Sequence, residues 1–158
     1  MILLGSLLFL AKTKNAETIL PTEFIAKVIA IKDGDSIEIL YEGKTIPIRL
    51  ADIDCPELRK SQPFGMAAKK FTSALCFGKM VTVQHRNKYD KYKRLIATII
   101  NEEKKEVNKE LIIAGLAWHF KQYSTNSNIA KLEITARVHK VGLWKDTYPI
   151  APWDWRKK

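Results

Sequence analysis

The sequence predicts an α+β domain: five short strands forming a β-barrel, with three helices appended. Two patterns carry this expectation. Several short runs alternate apolar and polar residues between turn residues, the period of half-buried strands. Three later segments place apolar residues at helical spacing instead. At 158 residues the chain is long enough to bury a core in one domain without staples. A composition of 46% hydrophobic and 28% charged residues excludes a disordered chain.

Residues 22–31 are apolar, partly alternating and rich in β-branched side chains, a first strand. Asp33-Gly34-Asp35 marks a turn. Residues 36–41 and 44–51 alternate around the hairpin pair Glu42-Gly43, so the first three strands form a meander. Residues 65–77 read as a helix with Met66, Ala67, Phe71, Ala74 and Leu75 on one face. Residues 80–85 and 94–100 give two further strands. A second helix covers 106–114 and stops at Gly115, a residue suited to the left-handed C-terminal position. A third covers 128–141, turns Ile129, Leu132, Ala136 and Val138 inward, and ends at Gly142. Trp144, Trp153 and Trp155 fall in the tail, which the packing of those rings should order. This element order is that of a five-stranded barrel of the OB type. No repeat, low-complexity stretch or linker divides the chain.

The apolar run 2–11, ahead of polar residues 12–17, is too short to span a bilayer and has the length of a signal-peptide core. Residues 1–16 are therefore expected to be a signal peptide or N-terminal anchor, putting the protein outside the cell or in its envelope. No Lys or Arg precedes the run, and no small-x-small cleavage site is clear. The alternative is an extra element packed on the domain spanning 17–158, and a cytoplasmic protein.

Lys and Arg number 27 against 17 Asp and Glu, a formal charge of +10. Such a surplus attracts polyanions, nucleic acid first among them, but it also suits a solvated surface and defines no site. The two cysteines, Cys55 and Cys76, form no Cys-x-x-Cys pair and the three histidines are scattered, which argues against zinc.

Three clusters carry the chemistry. They are Asp33-Gly34-Asp35, then Arg49 with Asp54-Cys55-Pro56-Glu57, then Asp90-Lys91-Tyr92-Lys93-Arg94. Each alone has a plain structural reading: a turn, a strand exit, a solvated hairpin. Together they supply what phosphodiester hydrolysis needs. Asp35 and Asp54 offer hard oxygens to Mg2+ or Ca2+, with the Cys55 backbone carbonyl and waters completing the shell. Arg49 and Arg94 suit a phosphate and the charge that grows on it. Glu57 suits the attacking water.

The combination resembles the staphylococcal nuclease (thermonuclease) family over residues 22–158. Asp33-Gly34-Asp35-Ser36 stands the family's distance ahead of Arg49, and Asp54-Cys55-Pro56-Glu57 follows it. Asp90-Lys91-Tyr92-Lys93-Arg94, Gln62-Pro63-Phe64-Gly65, Val107-Asn108, Gly115-Leu116-Ala117 and Gly142-Leu143-Trp144 are also similar. The resemblance implies a Ca2+-dependent endonuclease acting on DNA and RNA and leaving 3′-phosphate and 5′-hydroxyl ends. It implies metal binding by Asp35, Asp54 and the Cys55 carbonyl, and catalysis by Arg49, Glu57 and Arg94. It implies substrate contacts from Lys91, Tyr92 and Tyr123. Mg2+ or Mn2+ would be non-productive substitutes. A monomer with no obligate protein partner is expected. Phosphate clamps carry no sequence information, so single-stranded or frayed nucleic acid should be preferred. The competing reading is a non-catalytic single-strand-binding OB module, against which the presence of all five catalytic-type side chains counts.

Three positions depart from the family pattern. Lys93 stands where Gly is usual, so a positive φ there would strain the turn that carries Arg94. Asp52 stands where an apolar residue or Gly is usual, and either points away from the site or adds charge to it. Lys121 replaces an aromatic substrate contact.

Overall fold

A computed structural model describes residues 19–158. The expected signal peptide or anchor, 1–16, lies outside the described residues. The chain runs through β1 (Glu23–Asp33), β2 (Ser36–Tyr41), β3 (Lys44–Leu50), the two-residue β4 (Ile53–Asp54) and helix α1 (Gly65–Cys76). Then come β5 (Met80–Tyr89), β6 (Leu95–Ile100), α2 (Val107–Ile113), β7 (Trp118–His119), α3 (Ser127–Val138) and the short α4 (Pro152–Trp155). The expected five-stranded barrel is closed, in the order β1-β2-β3-β6-β5.

Closure follows from the length and bending of β1. Residues Glu23 to Lys27 pair with β5, and Lys27 to Asp33 pair with β2. The register shifts between Val28 and Ala30 and between Ile31 and Asp33, and such irregularities bend a strand. Alternating residues fill the barrel, among them Val28, Ile37, Ile39, Ile48, Leu50, Val83, Leu95 and Ile99. The β3–β6 pairing is parallel, with Ile48 beside Leu95 and Arg49 beside Ile96. It brings Arg94, which precedes β6, next to the end of β3.

The helix faces differ from the expectation at two places. In α1, Met66 is 54% exposed, and Ala67 and Ala74 are exposed too. The buried row is Ala68, Thr72 and Cys76, with Phe71 and Leu75 half-buried beside it. The reason is what α1 packs against. A Cβ on Gly34 would lie 2.7 Å from the Ala68 Cβ and 2.9 Å from the Cys55 Sγ. The Thr72 hydroxyl donates to the Gly34 carbonyl at 2.6 Å. So close a contact takes small residues and one hydroxyl, not the most apolar face. In α3, Val138 is 71% exposed. Nine residues at 3.6 per turn set it half a turn from Ile129, on the wrong side. Glu133 is buried instead, accepting from the His119 backbone N–H and from Arg137.

Gly115 takes φ +63° after α2, as expected. The tail is ordered by its rings: Trp118 packs on Trp144 at 4.5 Å between centroids, and Trp153 stacks on Phe120 at 5.6 Å. Cys55 and Cys76 are both buried and unpaired. Among the described residues, no helix is long and apolar enough to cross a membrane.

Gly34→Ala should destabilise the fold by roughly 1–3 kcal/mol through overpacking against α1. Adding Ala68→Gly should recover part of that loss. Urea denaturation of the three chains checks both, and an undisturbed Gly34→Ala chain would rule out the tight contact.

Candidate active site

The site is built at one mouth of the barrel. Asp35 ends the tight β1–β2 turn and is buried. Its Oδ2 accepts the Cys55 N–H at 2.6 Å, and its Oδ1 accepts the Ser36 hydroxyl at 3.3 Å. The peptide that flanks the expected carbonyl ligand is thus fixed to the expected carboxylate ligand.

Arg49 lies on β3, and a tight turn at Ala51-Asp52, with Asp52 at φ +68°, leads from β3 into β4. The Nη1 of Arg49 donates to the carbonyls of Leu50 at 2.9 Å and Ile53 at 2.8 Å. Its Nη2 reaches Asp54 at 2.8 Å and Asp35 at 3.3 Å. Burial would lower the Arg49 pKa, but Asp35 and Asp54 outweigh it and raise it further. Burial pushes Asp54 up to about 6, with Asp35 adding to the rise against the pull of Arg156 and Arg49. Asp33, half-buried nearby, is raised by burial and then by Asp35 and Glu57.

Arg94 is held by Asp90. The Oδ2 of Asp90 accepts from Arg94 Nε and Nη2, both at 2.7 Å, and its Oδ1 accepts the backbone N–H of Tyr92 and Arg94. These bonds lower the Asp90 pKa against the rise that burial alone would give. Arg94 Nη1 also donates to the Ser36 hydroxyl at 2.6 Å, which links it to the Asp35 turn. Lys93 does take a positive φ, +61°. A side chain there costs on the order of 1 kcal/mol, yet Arg94 stays anchored because Asp90 holds the loop from both sides.

Asp52 proves to be a tether. Its Oδ2 accepts from Asn126, the residue that caps α3, at 2.9 Å. Lys121 reaches toward buried Glu133 at 3.7 Å. Tyr92 and Tyr123 are 68% and 73% exposed, and Lys91 lies 5.0 Å from the Tyr92 ring centre.

All of the expected side chains except that of Cys55 line one open basin of about 1760 Å³. That exceeds the usual small-molecule pocket and suits a polymer. Arg59, Lys60, Arg86 and Lys88 ring the acidic centre. Among the described residues no three His, Cys, Asp or Glu side chains converge as a metal-ligating group. The candidate donors are therefore two carboxylates with backbone carbonyl and water, a set that fits a hard, oxygen-seeking cation and not zinc.

Sequence reasoning missed three participants. Asp90 and Ser36 stood inside the motifs but had no role. Arg156 went unnoticed, and it donates to Asp54 Oδ2 at 2.8 Å and Glu57 Oε1 at 2.5 Å. The only signal for it was the tryptophan-rich tail.

A closed five-stranded OB-type barrel with a buried carboxylate–arginine cluster at its mouth is the class that fold and site define. The chain belongs to the staphylococcal nuclease family: residues 47–146 match the family described as staphylococcal nuclease homologue. It is 39% identical over 133 residues to a Haemophilus influenzae protein described as an uncharacterized endonuclease, covering 84% of this chain and 72% of that one. An Escherichia coli protein of the same description is 35% identical over 140 residues, covering 89% and 90%. The micrococcal nuclease of Shigella flexneri is 32% identical over 145 residues, covering 85% and 82%.

The folded pKa of Asp54 lies above its ordinary 3.8, so its stabilising contribution is complete below that value and is lost as pH rises through about 6. Metal-free Asp54→Asn should therefore gain on the wild type by roughly 1–3 kcal/mol between about pH 4 and pH 7. Urea denaturation in chelator at both pH values checks this. A stability difference that does not change with pH would contradict it.

Proposed function

We propose that this chain is a Ca2+-dependent endonuclease that hydrolyses phosphodiester bonds in DNA and RNA. Its membership of a family with named nucleases supports a nucleic-acid hydrolase. The observation that carries the finer reading is the convergence of Asp35, Arg49, Asp54, Glu57 and Arg94 on one open basin.

In this reading Asp35, Asp54 and the Cys55 carbonyl would hold Ca2+, which would supply Lewis-acid polarisation of a phosphoryl oxygen. Arg49 and Arg94 grip the phosphate and neutralise the charge that builds on it. Arg94 comes preset, because Asp90 and Ser36 fix its guanidinium before substrate arrives. Glu57 takes the proton from the attacking water. Displacement of the 5′-oxygen, which takes up a proton from solvent in the open basin, then leaves a 3′-phosphate and a 5′-hydroxyl. Lys91, Tyr92 and Tyr123 receive the nucleotide, the exposed tyrosines as stacking surfaces. Stacking needs bases free of a duplex, so single-stranded or frayed substrate is favoured.

The test is incubation of the purified protein with denatured DNA, with and without Ca2+, followed by end-group identification. Cutting that requires Ca2+ and leaves 3′-phosphates is expected. Glu57→Gln should lower kcat by roughly 10²–10³-fold while the chain stays folded, and Arg49→Lys, which keeps a cation beside Asp35 and Asp54 but loses the fork, should lower it similarly. Binding to single strands without any cutting would favour a non-catalytic OB module instead.

A further inference from the structure

Arg156 belongs to the last residues of the chain, yet it is bound to the centre of the site. Its Nη2 donates to Asp54 Oδ2 at 2.8 Å. Its Nη1 reaches Asp54 Oδ1 at 3.3 Å and Glu57 Oε1 at 2.5 Å. One planar guanidinium therefore spans two carboxylates, a geometry that the single ammonium of Lys cannot copy.

The position is built, not incidental. The segment that delivers Arg156 is anchored independently of it. Gln62 donates to the Ile150 carbonyl at 2.8 Å, and the Trp155 indole N–H donates to the Arg59 carbonyl at 3.3 Å. Trp153 stacks on Phe120 and packs edge-on against Trp118. Gln62 also accepts the Glu57 N–H through its amide oxygen at 2.8 Å, so one side chain ties the Glu57 backbone to the tail.

Charge explains why such a residue is needed. Asp35, Asp54 and Glu57 bring three negative charges to the basin, and Arg49 answers one of them. The Asp54 side chain is 2% exposed, so water cannot screen it. Arg156, at 41% exposure, is the cation that reaches it from solvent. A divalent cation bound at Asp54 would take over the same carboxylate.

We propose that Arg156 is a positioning residue for this reaction, one that fixes Glu57 relative to Asp54 and competes with the divalent cation for Asp54. The proposal rests on the roles given above to Asp54 and Glu57. It deepens that reading by adding a third arginine, which acts through the two carboxylates.

Two consequences differ in sign. Arg156→Gln removes a positive charge that sits 2.8 Å from the Asp54 carboxylate, so Ca2+ should bind roughly three- to tenfold more tightly. The same change frees the Glu57 carboxylate, so kcat should fall roughly tenfold or more. Arg156→Lys keeps the charge without the fork, and should keep wild-type Ca2+ affinity while still losing kcat. A merely looser tail would lower the melting temperature and would change Ca2+ affinity alike in Arg156→Gln and Arg156→Lys.

The experiment is calorimetric titration of the full chain with Ca2+ alone, without substrate, beside single-turnover cutting of denatured DNA at saturating Ca2+. Circular dichroism melts confirm that each variant folds. Tighter Ca2+ binding with slower turnover in Arg156→Gln supports the proposal. Unchanged or weaker Ca2+ binding, or wild-type turnover, overturns it while the nuclease reading stands. A wild-type chain that neither binds Ca2+ nor cuts overturns both.

Discussion

Two carboxylates forced into a shared, nearly dry space set the terms for this structure. The side chains of Asp35 and Asp54 are 8% and 2% exposed. Neither charge could stay there unpaired without a cost of several kcal/mol. Arg49 reaches both, and its other nitrogen is tied to the Leu50 and Ile53 carbonyls. That grip depends on the tight turn after β3, and so on Asp52 at a positive φ. Apolar residues of similar size would serve the barrel as well or better. The cluster makes sense as a site, not as a brace, and the raised pKa of Asp54 is the mark of that compromise.

Backbone strain follows the same centre. Of the non-glycine residues with positive φ, Asp52, Lys60, Ser61, Phe64 and Lys93 lie in the segments that carry Asp54, Glu57 and Arg94 or beside them. Each costs on the order of 1 kcal/mol or more and persists because its neighbours over-determine it. The Asp90 loop shows how. A single carboxylate takes two backbone N–H groups and the Nε and Nη2 of the Arg94 guanidinium. Lys93 is therefore strained without loosening the arginine, so the departure most threatening in the sequence is absorbed by a residue three positions earlier.

The barrel was readable because its signals are local. Alternation in β2 and β3, the Glu42-Gly43 hairpin and the stop at Gly115 all lie within a few residues of what they specify. The inward face of α1 was not, because apolarity favours Met66 while contact with Gly34 favours Ala68 and Thr72. Glu133 was missed for a related reason: its burial depends on His119 and Arg137, and no periodicity announces a satisfied buried acid. The residues expected at the site were legible as a set, and all but Cys55 line one basin. Arg156 was not, because its partners lie about a hundred residues away and only the closed fold brings them within reach.

The distribution of charge adds a last constraint on what the basin can accept. The chain carries +10 overall, yet its centre is acidic. Lys91 and Arg94 flank the exposed ring of Tyr92, at 5.0 and 5.6 Å from its centre. A polyanion is thus drawn first to the rim, while the two buried carboxylates are held by arginines within. Arg49 and Arg156 answer the charges of Asp35 and Asp54 one for one from within the chain, which leaves Glu57 over. Charge balance therefore does not call for the proposed divalent cation, which rests on the hard oxygen donors that Asp35, Asp54 and the Cys55 carbonyl offer.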